Sequence, residues 1–262
     1  MSVITWPNLA VTTRSGMGYW LASLRSMTRF EMGRARQWAA LMVLIQILMG
    51  AGMALMYGFF YPQITHETAL YITTGTPALA LIPIGFVLVP ASVGQERLAG
   101  TFDFTWSLPV PRSAQATATF LLFTVLSLPG AVLALAVASW RYQVQLDISP
   151  LIVPGVLLSA LMAISVGFGM ALAISNPLLI NLITNAIVFV VLLFSPIVIP
   201  ASHFPPWLLA VDRALPFYNM AEVIRAGLSI GLVTDLTRSY LILLAWTIAG
   251  WSMTAWVVGR RK

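Results

Sequence analysis

The sequence predicts an all-α membrane protein with six transmembrane helices, and three observations carry that prediction. Of 262 residues, 59% are hydrophobic and only 8% are charged, whereas soluble domains average roughly 45–50% apolar and about 25% charged residues. The charges leave five charge-free stretches, 37–66, 68–95, 113–140, 148–211 and 239–259. A hydrocarbon core of about 30 Å needs roughly 20 apolar residues in helical form. Four stretches therefore hold one span each, and 148–211 is long enough for two. The third observation is the turn signal Ser175-Asn176-Pro177, which divides that longest stretch. Asn-Pro favours a turn, and the residue before proline avoids the helical region.

The elements follow in order. Residues 1–36 carry Arg14, Arg25, Arg29, Arg34 and Arg36 and lack a clean apolar run ending at a small-residue cleavage site, so no cleavable leader is expected. Within them, 19–32 predict a helix on the membrane surface: Trp20, Leu24 and Met27 recur at spacings of four and three, with Arg25 and Arg29 on another face. A cytosolic helix packed on a partner is the alternative. Spans are expected at 38–60, 76–93, 116–138, 154–174, 178–199 and 240–258. Pro129-Gly130 in the third span and Gly167 and Gly169 in the fourth predict a kink or a close helix approach, which neighbouring helices make tolerable in a membrane. With the N terminus inside, ten Lys and Arg fall on the cytoplasmic side and four (Arg141, Arg213, Arg225, Arg238) outside. The positive-inside rule then places both termini in the cytoplasm.

Several function classes are excluded or weakened. Lys262 is the only lysine, so no lysine-bearing phosphate loop is encoded and the chain itself binds no ATP that way. With no cysteine and only His66 and His203, thiolate metal sites, disulfides and multi-histidine clusters lack ligands. The net charge of +6 reflects cytoplasmic arginines rather than a nucleic-acid partner. The expected spans contain no Asp, Glu, Lys or Arg, which disfavours proton- or ion-coupled carriers and voltage sensors. They offer amides and hydroxyls instead: Gln46, Thr184, Asn181 and Asn185. Asn181 and Asn185 lie four apart on one helix face and either line a path or bond a neighbouring helix. Gly227-Leu228-Ser229-Ile230-Gly231 matches G-x-S-x-G, but a nucleophile elbow needs a preceding strand and a histidine after the serine, and both histidines precede Ser229. Asn176-Pro177-Leu178 is superficially similar to a water-channel half-helix motif, yet occurs once and lacks the alanine; a turn is the better account.

Two loops are the most individual parts. Segment 94–112, from Gly94 to Arg112, places charge, the aromatics Phe102, Phe104 and Trp106, and a proline-limited stretch on the cytoplasmic side. A short helix with those aromatics is suited to a partner's groove, and an interfacial loop with aromatics among headgroups is the alternative. Segment 200–238 is broken by Pro200, Pro205, Pro206 and Pro216, and its apolar runs 207–211 and 220–230 are too short to span. They predict two short helices tucked into the outer leaflet, with Asp212, Arg213, Glu222 and Arg225 as polar anchors or mutual ion pairs. The segment is either a lid over an outward exit or a packed loop.

At these loops the chain resembles the ABC-2 type permeases, the membrane subunits of ATP-binding cassette exporters. Glu96-Arg97-Leu98-Ala99-Gly100-Thr101 followed by Leu108-Pro109-Val110-Pro111-Arg112 resembles the family's E-x-x-x-G-T then L-P-x-x-R passage. Ser195-Pro196, Pro200, Phe204-Pro205, Trp207-Leu208, Leu215-Pro216 and Glu222 through Arg225 resemble its segment after the fifth span. The resemblance implies a single transmembrane domain over 1–262, with a tail and interfacial helix at 1–37, a coupling loop at 94–112 and an outer gate at 200–238. Gln95, Glu96, Arg97, Gly100 and Thr101 would lie at or near the contact with a nucleotide-binding ATPase subunit. Phe204, Pro205, Trp207, Arg213, Pro216, Glu222 and Arg225 would belong to the gate. It further implies a second permease subunit, identical or related, contact with membrane lipid, ATP and Mg2+ held by the partner ATPase rather than this chain, and a bacterial cell membrane. The charge-free interior suits a hydrophobic or amphipathic cargo, drug or lipid-like. Glycan export is the rival within the family, and a stand-alone six-span channel or intramembrane enzyme the rival from another class.

Overall fold

A computed structural model describes residues 16–60, 64–101, 108–233 and 235–260, without the side chains of 60 and 258–260. Among the described residues there is no strand, and six helices are long and apolar enough to cross a membrane. The chain begins with α1 (Met17–Ala35) and the first span α2 (Ala39–Phe60). The second span is continuous through α3 (His66–Pro83), a π-helical turn (Ile84–Leu88) and α4 (Val89–Leu98). Then follow α5 (Arg112–Tyr142), α6 (Ile152–Ala173), α7 (Pro177–Phe194), the short helices α8 (Pro206–Ala214) and α9 (Pro216–Leu228), and α10 (Leu236–Arg260).

The second span departs most from expectation, because it runs from His66 to Leu98 and so absorbs the start of the expected cytoplasmic loop. Thr65 opens it by accepting from the Thr68 amide at 3.2 Å. Pro77, Pro83 and Pro90 would each break an isolated helix. Here the π turn falls between Pro83 and Pro90 and contains Phe86, whose carbonyl Pro90 leaves without its α-helical donor.

The π turn is also where the second span meets α6 most closely. A Cβ on Gly167 would sit 1.8 Å from the Gly85 carbonyl oxygen, and one on Gly85 would sit 2.4 Å from the Ala163 carbonyl carbon. Small residues at such crossings let backbones approach, which is how membrane helices gain packing energy. Gly167→Ala is therefore expected to destabilise the chain by about 1–3 kcal/mol or more, since backbone must move. Gly52→Ala, with nothing within 4 Å of its Cβ position, is the matched control and should be neutral in the same detergent unfolding assay.

The expected features of spans three and four are present in this form. The helix α5 passes Pro129 unbroken, and Gln46 of α2 lies over Gly130, where a Cβ would meet the Gln46 Cβ at 2.3 Å. Gln46 Nε2 donates to the Leu126 carbonyl at 3.0 Å, supplying a donor beside the proline. The turn after span four is as short as expected: Asn176 caps α7 by accepting from the Leu178 amide at 2.9 Å, with Pro177 as the first helical residue.

Span five ends at Phe194 rather than continuing to residue 199. The cause is Pro196, which holds Ser195 extended at φ −93 and ψ 135. Ser195, Pro196, Ile197 and Val198 then form a buried, non-helical turn. The second span and α6 form the centre of the bundle, whereas α2, α7 and α10 leave broad apolar faces exposed, including Leu48, Leu182, Phe189 and Ile248.

Candidate functional site

Two polar clusters occupy opposite ends of the bundle. The first gathers where α1, α4, α5 and the end of α6 meet. Because α4 simply prolongs the second span, Glu96 and Arg97 ride on a rigid helix rather than on a separate short one. Glu96 Oε1 accepts from Arg34 NH2 of α1 at 2.6 Å. Arg97 donates from NH1 to the Ile174 carbonyl at 2.8 Å and from NH2 to the Leu172 carbonyl at 3.2 Å. Those carbonyls close α6, whose last turn has no helical donors, so Arg97 is a C-terminal cap supplied from another helix.

Beyond Arg97 the helix stops. Gly100 adopts φ +68, the left-handed conformation that glycine enters without steric cost. Thr101 Oγ1 donates back to the Glu96 carbonyl at 3.3 Å. The side chains of Glu96 and Arg97 thus turn into the protein, while Gln95, Leu98, Ala99, Gly100 and Thr101 are exposed. Leu98 was not singled out from sequence, yet it is a leucine 69% exposed at the end of a helix. Phe102, Phe104 and Trp106 lie outside the described residues.

The helix α1 is present, and its buried stripe of Ser23, Met27, Glu31 and Ala35 lies on the face that bears Trp20, Leu24 and Met27, with Arg25 and Arg29 exposed on the other. That stripe packs on α5. Trp20 Nε1 donates to Ser113 Oγ at 3.0 Å, and the Tyr19 hydroxyl donates to the Pro109 carbonyl. Met17, Leu21, Phe30 and Met32 are exposed.

Glu31 sits one turn before Arg34, at 4.0 Å from its NH1. Burial raises its carboxyl to about 6, with the Glu96 charge adding to the rise and Arg34 opposing it. For an acid raised above its ordinary value, the folded state holds the proton more tightly, so stability increases as pH falls through about 6 toward 4.5. Glu31→Gln is accordingly expected to stabilise the chain by about 2 kcal/mol above pH 7 and to lose that advantage below about pH 4.5. Thermal unfolding in detergent across that range checks the sign.

The second cluster lies at the other end. Proline at the first helical position starts both short helices: Pro206 opens α8 and Pro216 opens α9, each preceded by an extended residue. Almost all of the helix α9 is buried against α3, α6 and α10. Arg225 is fully buried and bonds in three directions. NH1 donates to Glu222 Oε1 at 2.6 Å, NH2 to the Ile197 carbonyl at 2.7 Å and Nε to Thr74 Oγ1 at 3.2 Å. The guanidinium carbon stands 3.6 Å from the centre of the Tyr71 ring, and the Tyr71 hydroxyl donates to the Pro196 carbonyl at 3.0 Å. Arg225 and Tyr71 together satisfy the backbone of the irregular 195–198 turn, which is tolerable in a bundle only when protein groups pair its carbonyls.

The other expected gate residues are scattered. Pro216 is buried, Phe204 half-buried, and Pro205, Trp207 and Arg213 are exposed. Asp212 is buried, which raises its carboxyl, and it forms no ion pair with Arg213. Of the four charges expected to anchor or pair, only Glu222 and Arg225 pair with each other. Thr74 and Tyr71 were not foreseen, because nothing in an apolar span marks a residue whose partner arrives about 150 positions later.

Among the described residues, no hydrogen bond joins Asn181 or Asn185 to a neighbouring helix. Asn185 is exposed and donates to the Asn181 carbonyl of its own helix at 2.7 Å. Ser229 ends α9 and donates to the Arg225 carbonyl at 3.0 Å, so the G-x-S-x-G stretch is a helix terminus rather than a strand-to-helix elbow.

A family model described as ABC-2 type transporter matches residues 17–229. No curated protein matches the chain significantly. The match runs from the first residue of α1 to the serine that closes α9, and so takes in five of the spans and both polar clusters. The chain belongs to the ABC-2 type transporter family and is an integral membrane subunit of an ABC transporter.

Proposed function

We propose that this chain is the permease of an exporter driven by a separate ATPase subunit, moving a hydrophobic or amphipathic, drug or lipid-like cargo. The observation that carries the reading is the exposed patch Gln95, Leu98, Ala99, Gly100 and Thr101, held rigidly by the inward-turned Glu96 and Arg97. A partner ATPase, holding ATP and Mg2+, docks on that patch. Glu96 and Arg97 then transmit the push to α1 and α6 rather than touching the partner. Both termini and α1 lie on the cytoplasmic side of a bacterial cell membrane, with α1 along its surface.

A second permease covers part of the face that α7 exposes, where Asn185 is polar among apolar neighbours. Nucleotide closure works only through contacts that differ between the two states of the permease pair. At the outer end, α9 and the Arg225 cluster form a plug that must shift for cargo to leave.

The chain has no cysteine, so single cysteines carrying a photoactivatable crosslinker report each face. Position 98 is expected to capture an ATP-binding subunit and position 185 a second permease. Capture of neither, in membranes where the protein is folded, would remove the reading.

A further inference from the structure

Between α1 and the spans, at the end of the bundle bearing Glu96, the structure holds a partly open cavity of about 380 Å3, within the roughly 300–1,000 Å3 of small-molecule sites. One wall is aromatic: Trp38, Phe123, Phe168 and Trp251. The aromatics brace one another through Phe120, which stacks on Trp251 at 4.3 Å and meets Phe168 at 5.7 Å, while Trp38 and Phe123 lie 6.1 Å apart. Electron-rich ring faces favour a cation.

The charged groups facing the cavity are Glu31 and Arg34 from α1, Glu96 from α4 and Arg112 from α5; α6 and α10 present none. They are not evenly satisfied. Arg34 commits its short bond to Glu96 at 2.6 Å and stands 4.0 Å from Glu31. Glu31 is 8% exposed, and no hydrogen bond among the described residues reaches its carboxylate. A largely buried carboxylate without such a bond is costly unless water or a ligand supplies the donor or the charge.

We propose that this cavity is a binding site for a hydrophobic monocation, whose charge sits at Glu31 and whose apolar body lies against Trp38, Phe123, Phe168 and Trp251. The proposal rests on the exporter reading and names its cargo class. Every lining residue belongs to this chain, so the site lies within one permease rather than between two.

The test uses the full chain in phosphatidylglycerol nanodiscs and an isosteric pair of permanently charged probes, tetraphenylphosphonium and tetraphenylborate, with binding measured above empty discs. The cation is expected to bind saturably and the anion not. Glu31→Gln should weaken the cation at least about tenfold, the scale of one lost charged contact. Ala255→Phe, which fills the cavity from α10, should abolish binding while the protein still elutes as a single species. Because the probe does not titrate, its affinity should fall as pH drops through about 6, where Glu31 becomes neutral. Equal affinity in wild type and Glu31→Gln, or equal binding of the anion, would overturn the proposal. So would loss of cation binding when phosphatidylethanolamine is added, since that assigns the site to a lipid ammonium. None of these readouts needs an ATPase, so failure here leaves the ATPase-driven reading standing, and failure to find an ATPase leaves this site standing.

Discussion

Arg225→Leu is expected to cost about 3–5 kcal/mol of stability, because it leaves Glu222 as a buried charge without its partner. It also strips the donor from the Ile197 carbonyl, in a buried, non-helical turn. Against a total stability of about 5–15 kcal/mol, that loss removes much of the margin. Two further variants separate the causes. Arg225→Lys keeps the charge but presents a point donor in place of a planar fork, so it should recover only part of the loss. The double replacement Glu222→Leu with Arg225→Leu should cost less than Arg225→Leu alone, since no charge is stranded. Equilibrium unfolding in detergent measures all three. If Arg225→Leu matches wild type, the cluster contributes nothing and the outer turn is held by other means.

Glu96→Ala is expected to uncouple, leaving a folded, inserted permease whose partner still hydrolyses ATP while transport per ATP falls roughly tenfold. Coupling energies of about 1–3 kcal/mol correspond to about 5–150-fold effects, so tenfold lies inside the range that one lost link explains. The physical reason is the Arg34–Glu96 contact at 2.6 Å, which ties the end of the second span to α1. Arg34→Ala should reproduce the defect. The charge swap Arg34→Glu with Glu96→Arg should restore part of it, a result that simple contact of Glu96 with the ATPase would not give. Unchanged transport in Glu96→Ala and Arg34→Ala would sink the assignment of this link.

The number of spans, the Asn176-Pro177 turn and the close approaches at Gly130 and Gly167 were legible in the sequence, because each depends on local signals: charge-free length, turn residues and small residues. The second span was drawn too short, because Tyr71, Thr73 and Thr74 lower its apolarity and Pro77 argues for a start rather than an interior. Burial against the outer turn, α5 and α9 overrides both signals. The same non-local logic hid the outer cluster. Arg225 belongs to the segment between spans by sequence, yet the fold inserts it between α3 and the 195–198 turn, so a chain whose expected spans carry no charge still has a buried ion pair. At the other end, Glu31 was not singled out from sequence, and only the packing of α4 against α1 shows that Arg34 bonds Glu96 more closely than Glu31 three residues away.

The central claim is that this permease works on a separate ATPase, and the most direct test is to solubilise the tagged chain gently from its own membrane and identify what leaves with it. The account predicts a subunit with a lysine-bearing phosphate loop in equal amount. Recovery of the chain alone, stable and active in liposomes without any ATPase, would contradict it.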